Sequence, residues 1–175
     1  MMAWLRTLYD QLRLQINEAK SAVGSAFGRK FLGYELWMAK GQEVKCAVAA
    51  KALGSFKARI RQLTSRSGGR SMEQVVQGLR PYMRGWKAYF GMAQTPKVWR
   101  KLDEWLRHRL RAIQLKHWRK TTSTIYWELK ARGATETVAK RVAGNSRSWW
   151  RNSDGLLKTV MTIGYFDRLG VPRLS

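Results

Sequence analysis

The chain has 175 residues, 45% of them apolar, enough for one compact domain or two small ones. Its 34 Lys and Arg against 11 Asp and Glu give a formal charge of +23, an imbalance that a polyanion, nucleic acid first, would neutralise. A disordered basic tail is excluded because the charge runs from Arg6 to Arg173 among nine Trp, six Tyr and five Phe, and a membrane span because no stretch reaches ~18 uninterrupted apolar residues.

Residues 3 to 16 place Trp4, Leu5, Leu8, Leu12 and Ile16 at helical spacing. Arg6, Asp10 and Arg13 among them exclude a secretory signal. Phe31 to Met38, FLGYELWM, reads as a strand, and a turn at Lys40-Gly41-Gln42 leads into a second strand from Val44 to Val48. Alternation in both is imperfect, so their register stays open. Cys46, the single cysteine, leaves no disulfide framework and no cysteine zinc site, and reads as a buried structural thiol.

From Ala49 the pattern turns helical. Leu53, Phe56, Ile60 and Leu63 form a stripe, with Lys57, Arg59, Arg61 and Arg66 largely off it. Residues 66 to 70, RSGGR, are a loop, and Ser71 with Gln74 forms a capping box that starts the next helix. Pro81 is read as opening a further short helix through Phe90, and Gly85 as a position of close backbone approach or special dihedral angles. The clearest element runs from Thr95 to about Lys120, with Thr95 as N-cap and Pro96 at the first helical position. Val98, Leu102, Trp105, Leu106, Leu110 and Ile113 share one face, with Arg100, Arg107 and Arg111 opposite. Arg109 falls near the apolar side with no partner readable from sequence. Two shorter helices are expected near 122–132 and 135–143, then turns and a short apolar helix near Leu156 to Phe166. The fold class is mainly α: a small N-terminal β-hairpin followed by a helical body.

Metal-dependent phosphoryl transfer needs clustered carboxylates. Only Asp103 and Glu104 adjoin, and helical neighbours point about 100° apart, so a local salt bridge is the simpler reading. His108 and His117 are nine residues apart, not at the i, i+4 spacing of a helical metal pair, and are assigned to the basic surface. No catalytic residue, metal site or cofactor is expected.

Three segments resemble the group II intron-encoded reverse transcriptase and maturase family. Leu14-Gln15-Ile16-Asn17-Glu18-Ala19-Lys20-Ser21 followed by Phe31-Leu32-Gly33-Tyr34 is similar to the L-x-x-N-x-x-K-[ST] and FLG[YF] elements that close the polymerase palm. By that resemblance Phe31, Leu32, Gly33 and Tyr34 are primer-grip-like, and Lys20 resembles a palm lysine near the nucleotide site. Leu79 to Phe90 carries G-W-x-x-Y-F, similar to the signature of the maturase-specific region, and Leu102 to Arg111 is similar to the long helix after it. Ser148-Trp149-Trp150-Arg151 and Gly164-Tyr165-Phe166 are similar, less specifically, to the family's C-terminal end.

The resemblance implies residues 1–48 as a palm remnant, 49–120 as a thumb and maturase-specific helical domain, and 121–175 as the C-terminal helical part. The paired palm aspartates, the DNA-binding extension and the endonuclease domain of a complete member have no counterpart here. An isolated chain is therefore expected not to polymerise DNA. The expected partners are structured group II intron RNA, a template–primer RNA–DNA duplex and a separately encoded finger–palm chain, and not a membrane. An intracellular, cytoplasmic protein of bacterial type is expected.

A-form RNA is recognised through shape, 2′-hydroxyls and phosphates, which suits basic helix faces. The expected RNA contacts are Arg80, Arg84 and Lys87 around Gly85-Trp86, then Arg100, Lys101, Arg107, Arg111, Lys116 and Lys120 of the long helix, and Arg147 and Arg151 beside the second tryptophan pair. Trp86, Tyr89, Phe90, Trp105 and Trp118 read as core rather than as base-stacking platforms, and Trp149 and Trp150 stay open. The leading function is an RNA-binding maturase-type module that assists splicing. The thumb half of a split reverse transcriptase and a ribosomal-type structural RNA-binding protein are the alternatives.

Overall fold

The computed structural model describes residues 2–17, 19–119 and 121–175. Helix α1 (Met2–Gln11) precedes strands β1 (Lys30–Phe31), β2 (Tyr34–Met38) and β3 (Val44–Val48). Helices α2 (Ala50–Leu63), α3 (Met72–Tyr89), α4 (Pro96–Trp118), α5 (Thr122–Ala131) and α6 (Glu136–Gly144) follow. Short helices α7 (Trp149–Asp154), α8 (Leu157–Val160) and α9 (Ile163–Arg168) close the chain. The mainly helical body after a small antiparallel sheet is the fold class that the sequence patterns predict.

The expected hairpin forms, with Tyr34 opposite Val48 and Met38 opposite Val44. The single strand expected from Phe31 to Met38 is broken, however. Leu32 and Gly33 take φ of 50° and 82°, the two-residue turn that lets Phe31 pair back onto Tyr34. Leu32 is held in this costly region because Tyr89 Oη donates to its carbonyl at 3.0 Å. Gly33 is required twice: its φ is positive, and a Cβ there would sit 3.1 Å from the Phe90 ring. Tyr34 Oη donates in return to the Tyr89 carbonyl, and Ala49 N donates to the Gly33 carbonyl at 2.8 Å. The FLGY and G-W-x-x-Y-F segments, with Tyr34 and Tyr89 55 residues apart, thus meet at one joint. Cys46 is half-buried rather than buried, and its carbonyl accepts from Gln94 N at 2.8 Å.

Helix α3 runs unbroken through Pro81, against the expectation of two helices. The proline removes one N–H from the ladder, but it lies on the exposed side, where water can meet the freed carbonyl. Its start is as predicted: Ser71 Oγ accepts from Gln74 N at 3.2 Å, and Gln74 Oε1 accepts from Ser71 N at 2.9 Å. Thr95, expected as a cap, makes no such bond, whereas Thr121, Thr135 and Thr162 accept the N3 amides of α5, α6 and α9.

One apolar cluster runs from Val48 to Leu174, centred on Phe56, Leu79, Leu106, Leu110 and Phe166. Helix α4 is its axis. Leu102, Leu106, Leu110 and Ile113 are buried as predicted, but so are Arg107, Arg111, Ala112, Gln114 and Leu115. The helix is therefore covered on most sides over its second half, because α5 and α7 pack on it and the C-terminal segment crosses it, and only its last turn, at Lys116 and His117, is exposed. Among the described residues before Val48, no side chain is buried.

Candidate nucleic-acid interface

Two arginine sets diverge from α4. On the inner side, Arg107 lies 3.5 Å from Asp103 and 3.6 Å from Asp167. Asp103 also accepts from Leu174 N at 3.1 Å, Ser175 N at 2.9 Å and Ser175 Oγ at 2.8 Å, which ties the C-terminal segment down. Arg111 donates through Nε to the Met161 carbonyl at 3.0 Å and through Nη1 to the Ser153 carbonyl at 3.2 Å. Burial, with neighbouring Arg107, pulls the Arg111 guanidinium down to about 10. Both arginines were expected on an open RNA face. They lie inside instead, holding α7, α8 and the C-terminus against α4.

On the outer side lies a groove of about 890 Å³ between the 65–71 loop, the C-terminal end of α4, and Arg132 and Tyr165. Arg66, Arg70, Lys116 and Arg132 line it, with Glu73 the one carboxylate among the described lining residues. The loop is fixed by Arg70, whose Nη2 donates to the Leu63 and Gln62 carbonyls at 2.9 and 3.2 Å, a cation on the negative end of α2. Arg132 pairs with Glu128 and lies 4.6 Å over the Trp118 ring. Hydrogen bonding at the start of α3, first from its own backbone N–H, keeps Glu73 below the usual carboxylate range.

Arg66 and Arg109 extend this positive region sideways. Arg109 Nε donates to Thr64 Oγ1 at 2.8 Å and Nη2 to the Thr64 carbonyl at 3.3 Å, which supplies the partner that sequence could not. Burial lowers the Arg109 guanidinium first, and Arg61 and Arg66 lower it further. Burial and then Arg119 lower Arg66. Like charges that depress one another in this way are held together against repulsion. Arg66 covers the Trp149 ring at 3.5 Å, and its Nε is buried without a hydrogen-bond partner.

Of the other expected contacts, Arg100 joins Arg107 and Arg111 at a second pocket of about 410 Å³ that also holds Asp103 and Glu104. Arg84, Arg100, Lys101, Arg147 and Arg151 are exposed. Arg80 Nε donates to the Gly170 carbonyl at 3.2 Å, and Lys87 Nζ to the Arg173 carbonyl at 3.1 Å, so both touch the C-terminal segment. Lys116 alone of the expected set lines the groove, and Lys120 lies outside the described residues. Phe31 and Leu32 are exposed, whereas Gly33 and Tyr34 are half-buried in the joint. Gly85 corrects the sequence reading: its φ is not positive, and a Cβ there would meet nothing within 4 Å. His108 is half-buried rather than on the open surface, with its ring tilted against Trp150 at 3.6 Å, its Nε2 2.9 Å from the Trp150 carbonyl and its Nδ1 4.0 Å from Asp154.

Among the aromatics expected in the core, Phe90 and Trp118 are buried and Trp86 and Trp105 are half-buried against it, whereas Tyr89 is exposed. Sequence reasoning missed Arg61, Arg66, Arg70, Arg109 and Arg132. The RSGGR loop was a usable signal for Arg66 and Arg70: two arginines flanking glycines at a helix start. Among the described residues, no three His, Cys, Asp or Glu side chains come together as a metal site would need, and no helix is long and apolar enough to cross a membrane.

Fold and site define a mainly helical protein with a groove of arginines largely free of carboxylates. Residues 53–133, from within α2 to just past α5, match the family model described as group II intron, maturase-specific domain. Over that span the chain is similar to the group II intron maturase-specific domain, the family that its motifs resemble. The matched span contains G-W-x-x-Y-F and most of the groove-lining residues, while FLGY lies before it. No curated protein matches the chain.

Proposed function

We propose that this protein is an RNA-binding maturase-type module that holds structured group II intron RNA and assists its splicing. The observation that carries this reading is the groove: within a maturase-specific domain, four cations face one carboxylate in a cleft of about 890 Å³. A phosphate backbone laid there relieves the repulsion among Arg66, Arg109 and their neighbours and releases its own counterions. Arg66, Arg70, Lys116 and Arg132 are the first-choice contacts. Arg84, Arg100, Lys101, Arg147 and Arg151 are available on the surface for a longer RNA.

Cross-linking in cells followed by sequencing of the bound RNA tests the proposal. Recovery of group II intron fragments, cross-linked through the 65–71 loop and the end of α4, is expected. Predominant recovery of ribosomal RNA would favour the structural alternative and refute this one.

A second reading has a specific observation behind it. Phe31 is 77% exposed, and Leu36, Met38 and Val44 share its side of the sheet and are also exposed. A separately encoded finger–palm chain covering that face would make residues 1–48 a palm remnant and the whole a reverse transcriptase half that also holds a template–primer duplex. In an isolated monomer, hydrogen exchange in residues 30–48 is then expected to be much faster than in α4. Equal protection in both would count against a missing partner.

A further inference from the structure

Beside the groove, and sharing Ser65 and Arg66 with it, lies a smaller pocket of about 260 Å³. Arg61, Arg66 and Arg109 line it together with Trp149 and Trp150, and no carboxylate is among its described lining residues. The two tryptophans play different parts. Trp149 packs against the core, and its face is taken by Arg66. Trp150 stands outside the apolar cluster and is 40% exposed.

Trp150 is nonetheless held in place. His108 lies tilted against its ring, with planes 30° apart and centroids at 3.6 Å. Its carbonyl accepts from Ser153 Oγ at 2.7 Å, and Trp149 meets it edge-on. A large aromatic surface fixed by its own neighbours and left open to water loses little entropy when a flat partner joins it. The pocket has room for one ring system.

We propose that this pocket receives a single unpaired RNA base, stacked on Trp150 beside the arginine guanidinium groups, while the flanking phosphates lie in the adjoining groove. A bare anion would use the guanidinium groups and leave the indole idle. A nucleotide uses both, because bases stack on aromatic rings and on guanidinium planes alike. The inference rests on the RNA reading above and adds to it a preference: bulged or looped RNA over a perfect duplex.

The test compares two hairpin RNAs that differ by one bulged nucleotide in the stem, bound to the full chain and followed by fluorescence anisotropy. The bulged RNA is expected to bind about tenfold more tightly, and Trp150→Ala to erase that advantage. Trp150→Phe should keep most of it, which separates stacking from a general loss of fold. Unfolding midpoints of both variants, compared with the parent chain, check that the fold survives.

Tight, salt-sensitive binding of both RNAs with equal affinity would overturn this inference and leave the RNA proposal standing. So would a Trp150→Phe variant that loses the preference as fully as Trp150→Ala while staying folded. Failure of both RNAs to bind would sink the RNA proposal itself, and this inference with it.

Discussion

Helix α4 separates two arginine sets that the fold treats in opposite ways. Arg107 and Arg111 on the inner side are buried, and although they repel one another, Asp103 and Asp167 lie beside the first and the carbonyls of Met161 and Ser153 accept from the second. Arg109 on the outer side faces Arg61 and Arg66, which push its guanidinium down beyond what burial alone does. The residue type is the same and the helix is the same. What differs is the carboxylates: Asp103 and Asp167 stand beside the inner set, and no described carboxylate lines the pocket that holds Arg61, Arg66 and Arg109, the side proposed for the polyanion.

The largest expected effect breaks the inner set. Asp103→Ala leaves the buried Arg107 with only the part-exposed Asp167 and releases the amides of Leu174 and Ser175, so stability should fall by about 3–5 kcal/mol in urea denaturation. A loss under ~1 kcal/mol would mean that the inner set is not a buried ion pair in solution. The outer set should respond in the reverse sense. Arg66→Ala and Lys116→Ala should each weaken RNA binding about tenfold, on the order of 1.5 kcal/mol for a charge-assisted contact. Lys116→Ala should leave stability within ~0.5 kcal/mol, since an exposed charge is removed, whereas Arg66→Ala also loses its contact with the Trp149 ring and should cost about 0.5–1 kcal/mol.

Gly85→Ala serves as the reference for a solvent-facing change that belongs to neither set. With helical dihedral angles and open space, it should stabilise α3 by about 0.5–1 kcal/mol, read from the same denaturation curves. A destabilised variant would restore the idea that Gly85 is there for close approach.

The smallest effect is a matter of pH. Hydrogen bonding from Arg173, with Arg107 adding its charge, holds the Asp167 carboxyl below its ordinary value. A carboxyl depressed by folding contributes its stability above the unfolded pKa of ~3.9 and loses it as pH falls through the folded value. Stability should therefore decline below about pH 4, and Asp167→Asn should flatten that limb. An unchanged acid limb in the variant would assign the decline to other carboxyls.

Local devices were legible in the sequence, and remote pairings were not. The Ser71–Gln74 box, the loop before it, the Val44–Val48 strand and the apolar stripe of α4 could all be read because their partners lie within a few residues. The break at Leu32-Gly33 was missed because it depends on Tyr89 and Phe90, far along the chain. Pro81 misled because its lost hydrogen bond is cheap on an exposed side. Arg107 and Arg111 looked like a free face because periodicity reports that a helix has two sides and not that both are covered. Asp103 meets the backbone of Leu174, 71 residues away, and no spacing rule announces that. The same limit hid the groove, whose walls come from residues 65–73, 114–117, 132 and 165–169. Charge count and family motifs pointed to RNA, and only the folded chain shows which arginines lack a counter-charge of their own.

The most direct test of the central claim is the salt dependence of RNA affinity in the parent chain and in an Arg66→Ala, Lys116→Ala, Arg132→Ala variant. With ~6 phosphates neutralised, the log–log slope of the parent should be about −4 to −5. The groove variant should be shallower by about 2–3, near one for each lost contact. A parent affinity indifferent to salt, or a slope that the three substitutions leave untouched, would show that the groove is not where the phosphates lie.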